Sequence, residues 1–248
     1  MNMLCWNVNR LPKKRRQGVL QYLQAADPDV ICLQELNESG IDFLVPLLRE
    51  QGYGCFFSGC DGTLARPLHV MTAVRGRTGA VRDPRWSVSS HGHQHLLVEY
   101  EELLIANTHV PNASGNGRKT KQEHFSFLMN IMGDLRDRPA LICGDLNSPK
   151  SESGGTYLGW DASLPVCTEH QFWTGLHAFG FRDAVIETNG SEHGFISHVN
   201  SRGPTRRYDH LLVSKHIQVI GKVEYDTRSN VLSGLSDHAP LQAVLASV

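Results

Sequence analysis

The chain has 248 residues, 40% of them hydrophobic and 20% charged, with a formal net charge of -1. That balance can bury a sizeable core and excludes a disordered chain. It also excludes a protein that coats nucleic acid through bulk charge, since such binding rests on neutralising many phosphates at once.

Taken in chain order, an apolar run at 3–8 reads as a strand that ends on Asn7. The basic stretch that follows opens a helix over 13–25, which stops before Asp27-Pro28. A strand at 30–33 leads directly to Glu35. The helical pattern over 39–51 contains Pro46, which predicts a break or a first-turn position there. Strands follow at 70–74, 95–100 and 103–108, the last running into His109. A helix over 119–136 carries Phe125, Leu128, Met129, Met132 and Leu135 on one stripe, a pattern that serves core packing. The strand at 140–143 leads to Asp145 and Asn147, and a further helix is expected over 168–179. Strands at 210–214, 219–225 and 239–245 complete the chain, with Asp209 and Asp237-His238 preceding two of them. The Gly- and Ser-rich segments 112–118, 148–156 and 189–194 are too short for interdomain linkers and read as loops. The expectation is one domain, 1–248, with an α/β fold: a four-layer sandwich of two mixed β-sheets flanked by helices.

Cys5, Cys32 and Cys143 lie within apolar runs, and none of the six cysteines, Cys55, Cys60 and Cys167 included, forms a Cys-x-x-Cys pair. Free, buried thiols point to a reducing compartment. The N-terminus lacks the basic and apolar pattern of a leader, and no apolar run is long enough to span a bilayer. The expected setting is cytoplasmic, without a membrane partner.

Polar residues competent for catalysis thus recur at strand ends, where a rigid scaffold can aim them into one cleft. Singly, Asn7, Asp145 or Asp237 is more often turn chemistry, and His109 more often a satisfied, partly buried histidine. Glu35 resists that reading, because a carboxylate next to a buried strand is costly without a cation or donors. His91, His93 and His95 alternate, a spacing open to a transition-metal site but more often that of solvated loop histidines; Trp86, Trp160 and Trp173 read as packing rather than base stacking.

The local sequences together resemble the endonuclease/exonuclease/phosphatase superfamily, with motifs in its order from residue 3 to about 245. They are Cys5-Trp6-Asn7-Val8-Asn9, Leu33-Gln34-Glu35, Asn107-Thr108-His109-Val110-Pro111-Asn112, Gly144-Asp145-Leu146-Asn147, Arg207-Tyr208-Asp209-His210 and Ser236-Asp237-His238-Ala239-Pro240. The resemblance implies metal-dependent hydrolysis of nucleic-acid phosphodiesters, DNA more than RNA, with Mg²⁺ or Mn²⁺ as cofactor and nucleic acid as partner. It implies Glu35 as the main metal ligand, with Asn7 and Asp237 completing or flanking that site. Asp145 would activate or orient water and Asn147 would hold it or a phosphate oxygen. His238 would contact phosphate, with Asp209 fixing its tautomer. Asn9, Asn112 and Arg207 would touch substrate. Where the apurinic endonuclease branch carries tyrosine this chain has His109, which argues against a dedicated abasic-site role and suggests a general acid near neutrality. Basic residues Lys13, Lys14, Arg15, Arg16, Arg202, Arg206 and Arg207 would supply local polyanion contacts. The alternatives are a phosphatase or lipid phosphodiesterase acting on a small ester, and a catalytically silent binding module. No Trp-Cys-Asp-Arg pattern of the inositol phosphatases occurs, and every metal and histidine position of the motifs is filled.

Overall fold

Two six-stranded sheets face each other, and each is built around one central parallel pair. The computed structural model describes residues 1–59, 68–76, 80–81, 94–112, 117–148, 168–191, 195–199, 206–228 and 234–247. The first sheet comprises β1 (Asn2–Asn7), β2 (Val30–Leu36), β3 (Tyr53–Phe57), β4 (His69–Arg75), β11 (Ile217–Tyr225) and β12 (Leu241–Ser247), in the order β11-β12-β1-β2-β4-β3. The second comprises β5 (Ala80–Val81), β6 (His95–Tyr100), β7 (Leu103–His109), β8 (Ala140–Asp145), β9 (Phe181–Asp183) and β10 (Asp209–Ser214), in the order β5-β6-β7-β8-β10-β9. The parallel pairs are β1 with β2 and β7 with β8; all other pairings are antiparallel.

The strands read as continuous apolar runs because both faces are covered. On β1, Met3 and Cys5 point between the sheets, toward a core that includes Cys32, Ile105, Leu141, Cys143 and Leu211. Leu4 and Trp6 point the other way, into a cluster with Val19, Leu20 and Leu23 of α1 (Arg16–Ala26) and Leu44 and Leu48 of α2 (Glu38–Glu50). Behind the second sheet, Leu104, Ala106 and Ile142 pack on Phe125, Leu128 and Met132 of α3 (Gly117–Leu135) and Phe172 and Trp173 of α4 (Thr168–Gly175). This is the expected four-layer arrangement. Each of the larger buried side chains contributes about 1.5–3 kcal/mol of burial free energy.

Local chemistry sets the element ends. Asn37 caps α2, its side-chain oxygen accepting from Gly40 N at 2.8 Å. The segment Lys13–Arg15 is a 3-10 turn ahead of α1, and Asp27 ends α1 in the left-handed conformation at φ 42°. Pro46 neither breaks α2 nor sits in its first turn. It lies on the exposed face, as does Asp42 one turn earlier, so water can bind the carbonyl that lost its donor. The fourth helix stops at Gly175, short of the expected 179, and the last strand begins at Leu241 rather than Ala239. There Ala239 N instead donates to Ser197 O at 2.6 Å and Pro240 has no N–H to give. A short helix, α5 (Ala184–Asn189), and strands β3, β5 and β9 have no counterpart in the sequence reading. No helix among the described residues is long and apolar enough to cross a membrane.

Candidate active site

The topology gathers the polar strand ends. Asn7 and Glu35 come from the C-terminal ends of one parallel pair, His109 and Asp145 from those of the other. Asp209 pairs with Asp145 at the start of antiparallel β10, and His238 precedes antiparallel β12, so both enter from the same end. Glu35 lies inside β2 at a register break between Leu33 and Leu36, with φ 56°. The bulge aims a carboxylate out of a strand that otherwise buries every side chain. After β1, Asn9, Arg10 and Leu11 are all left-handed, at φ 43°, 64° and 42°. That turn lets Asn9 reach Asp237, Nδ2 donating to Oδ1 at 2.8 Å.

Asp145 is the hub. Its Oδ2 accepts from Asn7 Nδ2 at 2.9 Å and Asn147 Nδ2 at 3.1 Å, and its Oδ1 accepts from Asn147 N at 2.8 Å. Even so, burial drives its carboxyl up to about 7, with the negative charges of Asp209 and Glu35 adding to the effect and His238 opposing it. His238 Nδ1 donates to Asp209 Oδ2 at 2.8 Å, which leaves Nε2 facing Asp145 Oδ2 at 3.8 Å. Burial disfavours the imidazolium, but Asp209 and Asp145 outweigh it and the His238 pKa rises to about 10. Tyr225 Oη in turn donates to the Asp209 carbonyl at 2.6 Å.

Two further groupings border this dyad. Glu35, His109 and Asp145 offer three ligand atoms within 4.8 Å of one another, with His109 Nε2 at 3.5 Å from Glu35 Oε1 and 3.9 Å from Asp145 Oδ2. Asp237 gathers instead with His238 and His198, whose Nε2 lies 3.7 Å from Asp237 Oδ2. His198 also packs against His238, ring centroids 4.7 Å apart and the planes tilted by 59°.

Several expectations change. Asn7 is a bridge between Glu35 Oε1 and Asp145 Oδ2 through its Nδ2, while its Oδ1 accepts the Asn9 N–H. In this orientation Asn7 turns its amide nitrogen toward the two carboxylates and holds them together, whereas a cation between them would favour the amide oxygen there. Arg207 is buried and grips Asp183 through both terminal nitrogens, at 3.1 and 2.7 Å, instead of facing substrate. Burial, with His238 adding to it, lowers the His109 pKa below the ordinary imidazole value, and Glu35 opposes the shift. Asn112 is exposed beyond the gathered residues. Of the basic run, Lys13 and Lys14 are exposed, whereas Arg15 binds the Leu235 carbonyl at 3.0 Å and Arg16 the Ser39 hydroxyl at 2.5 Å. Trp173 is core, and its indole N–H donates to Ser148 Oγ at 2.8 Å. His95 is buried, hydrogen bonded to Thr108 Oγ1 at 2.5 Å and His124 Nδ1 at 2.7 Å. Trp86, Trp160, His91, His93, Cys60, Cys167 and Arg202 lie outside the described residues.

Sequence reading missed His198, a lone histidine in a short irregular segment that carries no local signal. It also missed Lys121 and Glu169, which hold the loop after Asp145. Lys121 did leave a trace: it stands four residues before Phe125 and seven before Leu128, on the apolar stripe rather than the solvated face.

A sequence profile of the Endonuclease/Exonuclease/phosphatase family matches residues 4–238. A DNA-(apurinic or apyrimidinic site) endonuclease of Dictyostelium discoideum is 23% identical over 99% of this chain and 70% of its own length. An exodeoxyribonuclease of Bacillus subtilis (strain 168) is 23% identical over 99% of both. Among solved structures, the 3' phosphatase NExo from Neisseria, bound to product DNA hairpin, superposes with a TM-score of 0.77 at 20% identity over 99% of each chain. An AP endonuclease from Archaeoglobus fulgidus gives 0.75 at 19% identity over 98% of each. The structural likenesses establish the two-sheet fold, and with the profile spanning nearly the whole chain the protein belongs to the endonuclease/exonuclease/phosphatase family.

Proposed function

We propose that the chain is a divalent-cation-dependent phosphodiesterase that hydrolyses DNA. The observation that carries this reading is the convergence on Asp145 of an oriented imidazolium, His238, and a carboxylate-imidazole group, Glu35 with His109. Donor chemistry fits a hard cation: two carboxylates and an imidazole lie within 4.8 Å, and Asp145 is held up to about 7 chiefly by burial, with added anionic repulsion that a cation would relieve. Glu35 and Asp145 would hold Mg²⁺ or Mn²⁺, with His109 at its edge. The ion would stabilise charge on the phosphate oxygens and the departing alkoxide.

The chain's own groups divide the remaining work. Asp209 accepts from Nδ1 and holds the His238 imidazolium in place, so that its Nε2–H points at the centre and can donate to a nonbridging phosphate oxygen. Asp145 is held by three donors, which fixes its carboxylate to orient an attacking water beside the cation. Asn147 keeps that carboxylate from rotating and presents its amide beside it. His109, 3.5 Å from Glu35 Oε1, can orient water or the leaving oxygen.

The test is a panel of end-labelled single- and double-stranded DNA, abasic duplex, RNA and 3'-phosphorylated DNA, with Mg²⁺ or chelator. Chelator-sensitive DNA cleavage that Asp145→Asn and His238→Ala both abolish is the expected result. A second reading, removal of a terminal phosphate, is favoured by the likeness to the 3' phosphatase structure; release of inorganic phosphate without chain cutting would select it.

A further inference from the structure

We infer that Lys121 and Glu169 form a buried ionic clamp that positions Asn147 for the reaction; the inference rests on the role given to Asn147 above. Lys121 reaches from α3 across the back of the second sheet, and its Nζ donates to the Asn147 carbonyl at 2.8 Å and to Glu169 Oε1 at 2.9 Å. Both side chains are under a tenth exposed, at 8% and 6%. Glu169, in the first turn of α4, also accepts from Ser148 Oγ, and Trp173 donates to that same hydroxyl. The Ser148 carbonyl accepts from His210 Nε2 at 2.9 Å. The peptide joining residues 147 and 148 is thus held from both sides.

Packing alone does not call for this ion pair. Lys121 occupies an apolar-stripe position in α3 where a leucine or methionine would bury itself without the desolvation penalty of a charge. Asn147 is left-handed at φ 48°, a turn conformation that asparagine tolerates better than other non-glycine residues. Its Nδ2 bridges the Val110 carbonyl at 2.9 Å and Asp145 Oδ2 at 3.1 Å. Without the hold on its carbonyl, residue 147 can shift as a whole and carry that amide off the catalytic carboxylate. Lys121 and Glu169 touch none of the reacting atoms and are positioning residues.

The experiment is single-turnover DNA cleavage, over a range of substrate concentration, by the wild type and by K121R, K121M/E169Q, N147A and the triple variant, with each melting temperature measured in parallel. K121M/E169Q removes both charges and strands neither. Its maximal rate is expected to fall about 10- to 100-fold, the scale of a small misplacement of a catalytic group, with the apparent KM within about threefold of wild type. K121R should restore most of the rate, and adding K121M/E169Q to N147A should cost nothing more. A folded K121M/E169Q with wild-type rate overturns the clamp, as does a loss that multiplies with that of N147A. If N147A itself is fully active, the role of Asn147 falls and the clamp with it; if N147A is impaired and K121M/E169Q is not, only the clamp falls. Should K121M/E169Q fail to fold, E169Q alone decides: an intermediate rate at unchanged KM supports the clamp and a wild-type rate overturns it.

Discussion

Asp209 and His238 share one hydrogen bond at 2.8 Å and face one target, so removing either disables the same function. Asp209→Asn should lower the cleavage rate by about 10²–10⁴-fold, and the Asp209→Asn/His238→Ala pair should lose little more than the worse single change. Single-turnover rates on one defined oligonucleotide check this, and fully multiplicative losses would dissolve the pair. The residues of this site were legible because each belongs to a motif with its own local pattern. What local sequence could not carry was direction. Arg207 sits two residues before Asp209, yet its guanidinium turns into the core toward Asp183. Asn7 turns its amide nitrogen toward Glu35 and Asp145, an orientation that no local pattern announces. Partners that meet only in space, such as Lys121 with Asn147 or His198 with Asp237, leave almost no trace along the chain.

At the scale of elements, the long apolar strands and the stripe on α3 declared themselves because both faces of each sheet are covered. The pieces that did not, β3, β9 and α5, are short, and their pairing is decided by neighbours rather than by their own pattern. The bulge that turns Glu35 outward is likewise a property of the β2–β4 pairing. Where β8 passes closest to β7, Gly144 has φ 136°, and a Cβ there would overlap the Thr108 carbonyl. Gly144→Ala should therefore destabilise the fold by several kcal/mol, beyond the roughly 1–3 kcal/mol of ordinary overpacking, because the obstacle is backbone. Denaturant unfolding reads this directly, and a loss under about 1 kcal/mol would mean that the two strands can separate locally. Asn37→Ala, which removes only the cap of α2, should cost about 1 kcal/mol by the same measurement.

Across the whole molecule, acid stability depends on a buried cluster that pins β9 to β10. Burial opposes the Asp183 carboxylate, but Arg207 and His210 hold its pKa well below the usual range. A depressed carboxyl contributes stability that is complete above its unfolded pKa near 3.9 and is lost as pH falls toward the folded value. Burial lowers the pKa of His210, so protonating it below about pH 6.5 also opposes the fold. Between about pH 7 and 4 the raised Asp145 carboxyl opposes the loss from His210, so the melting temperature should decline chiefly, and most steeply, below about pH 4. Asp183→Asn should remove the steeper part of that decline while costing about 3–5 kcal/mol at neutral pH, since it strands a buried guanidinium. An unchanged acid limb in that variant would assign acid unfolding to other groups.

The net charge of -1 leaves polyanion binding to exposed patches, and Lys13 and Lys14 are the free part of the basic run. If both contact phosphates, Lys13→Ala/Lys14→Ala should flatten the log-log salt dependence of duplex binding by up to about 1.8, roughly 0.9 per contact. An unchanged slope would remove this segment from the nucleic-acid surface. The central claim is tested most directly by Glu35→Gln, because Glu35 is the partly exposed carboxylate of the Glu35, His109 and Asp145 group and, among the described residues, its carboxylate accepts from Asn7 and lies 3.5 Å from His109 Nε2. The measurement is a Mg²⁺ titration of DNA cleavage by wild type and Glu35→Gln, with circular dichroism to confirm that both are folded. The account predicts saturable, chelator-reversible cleavage by the wild type and at least a 100-fold loss in the variant, with half-saturation moved to higher Mg²⁺. Equal cleavage by both proteins at low Mg²⁺, or wild-type cleavage that survives chelator, would contradict it.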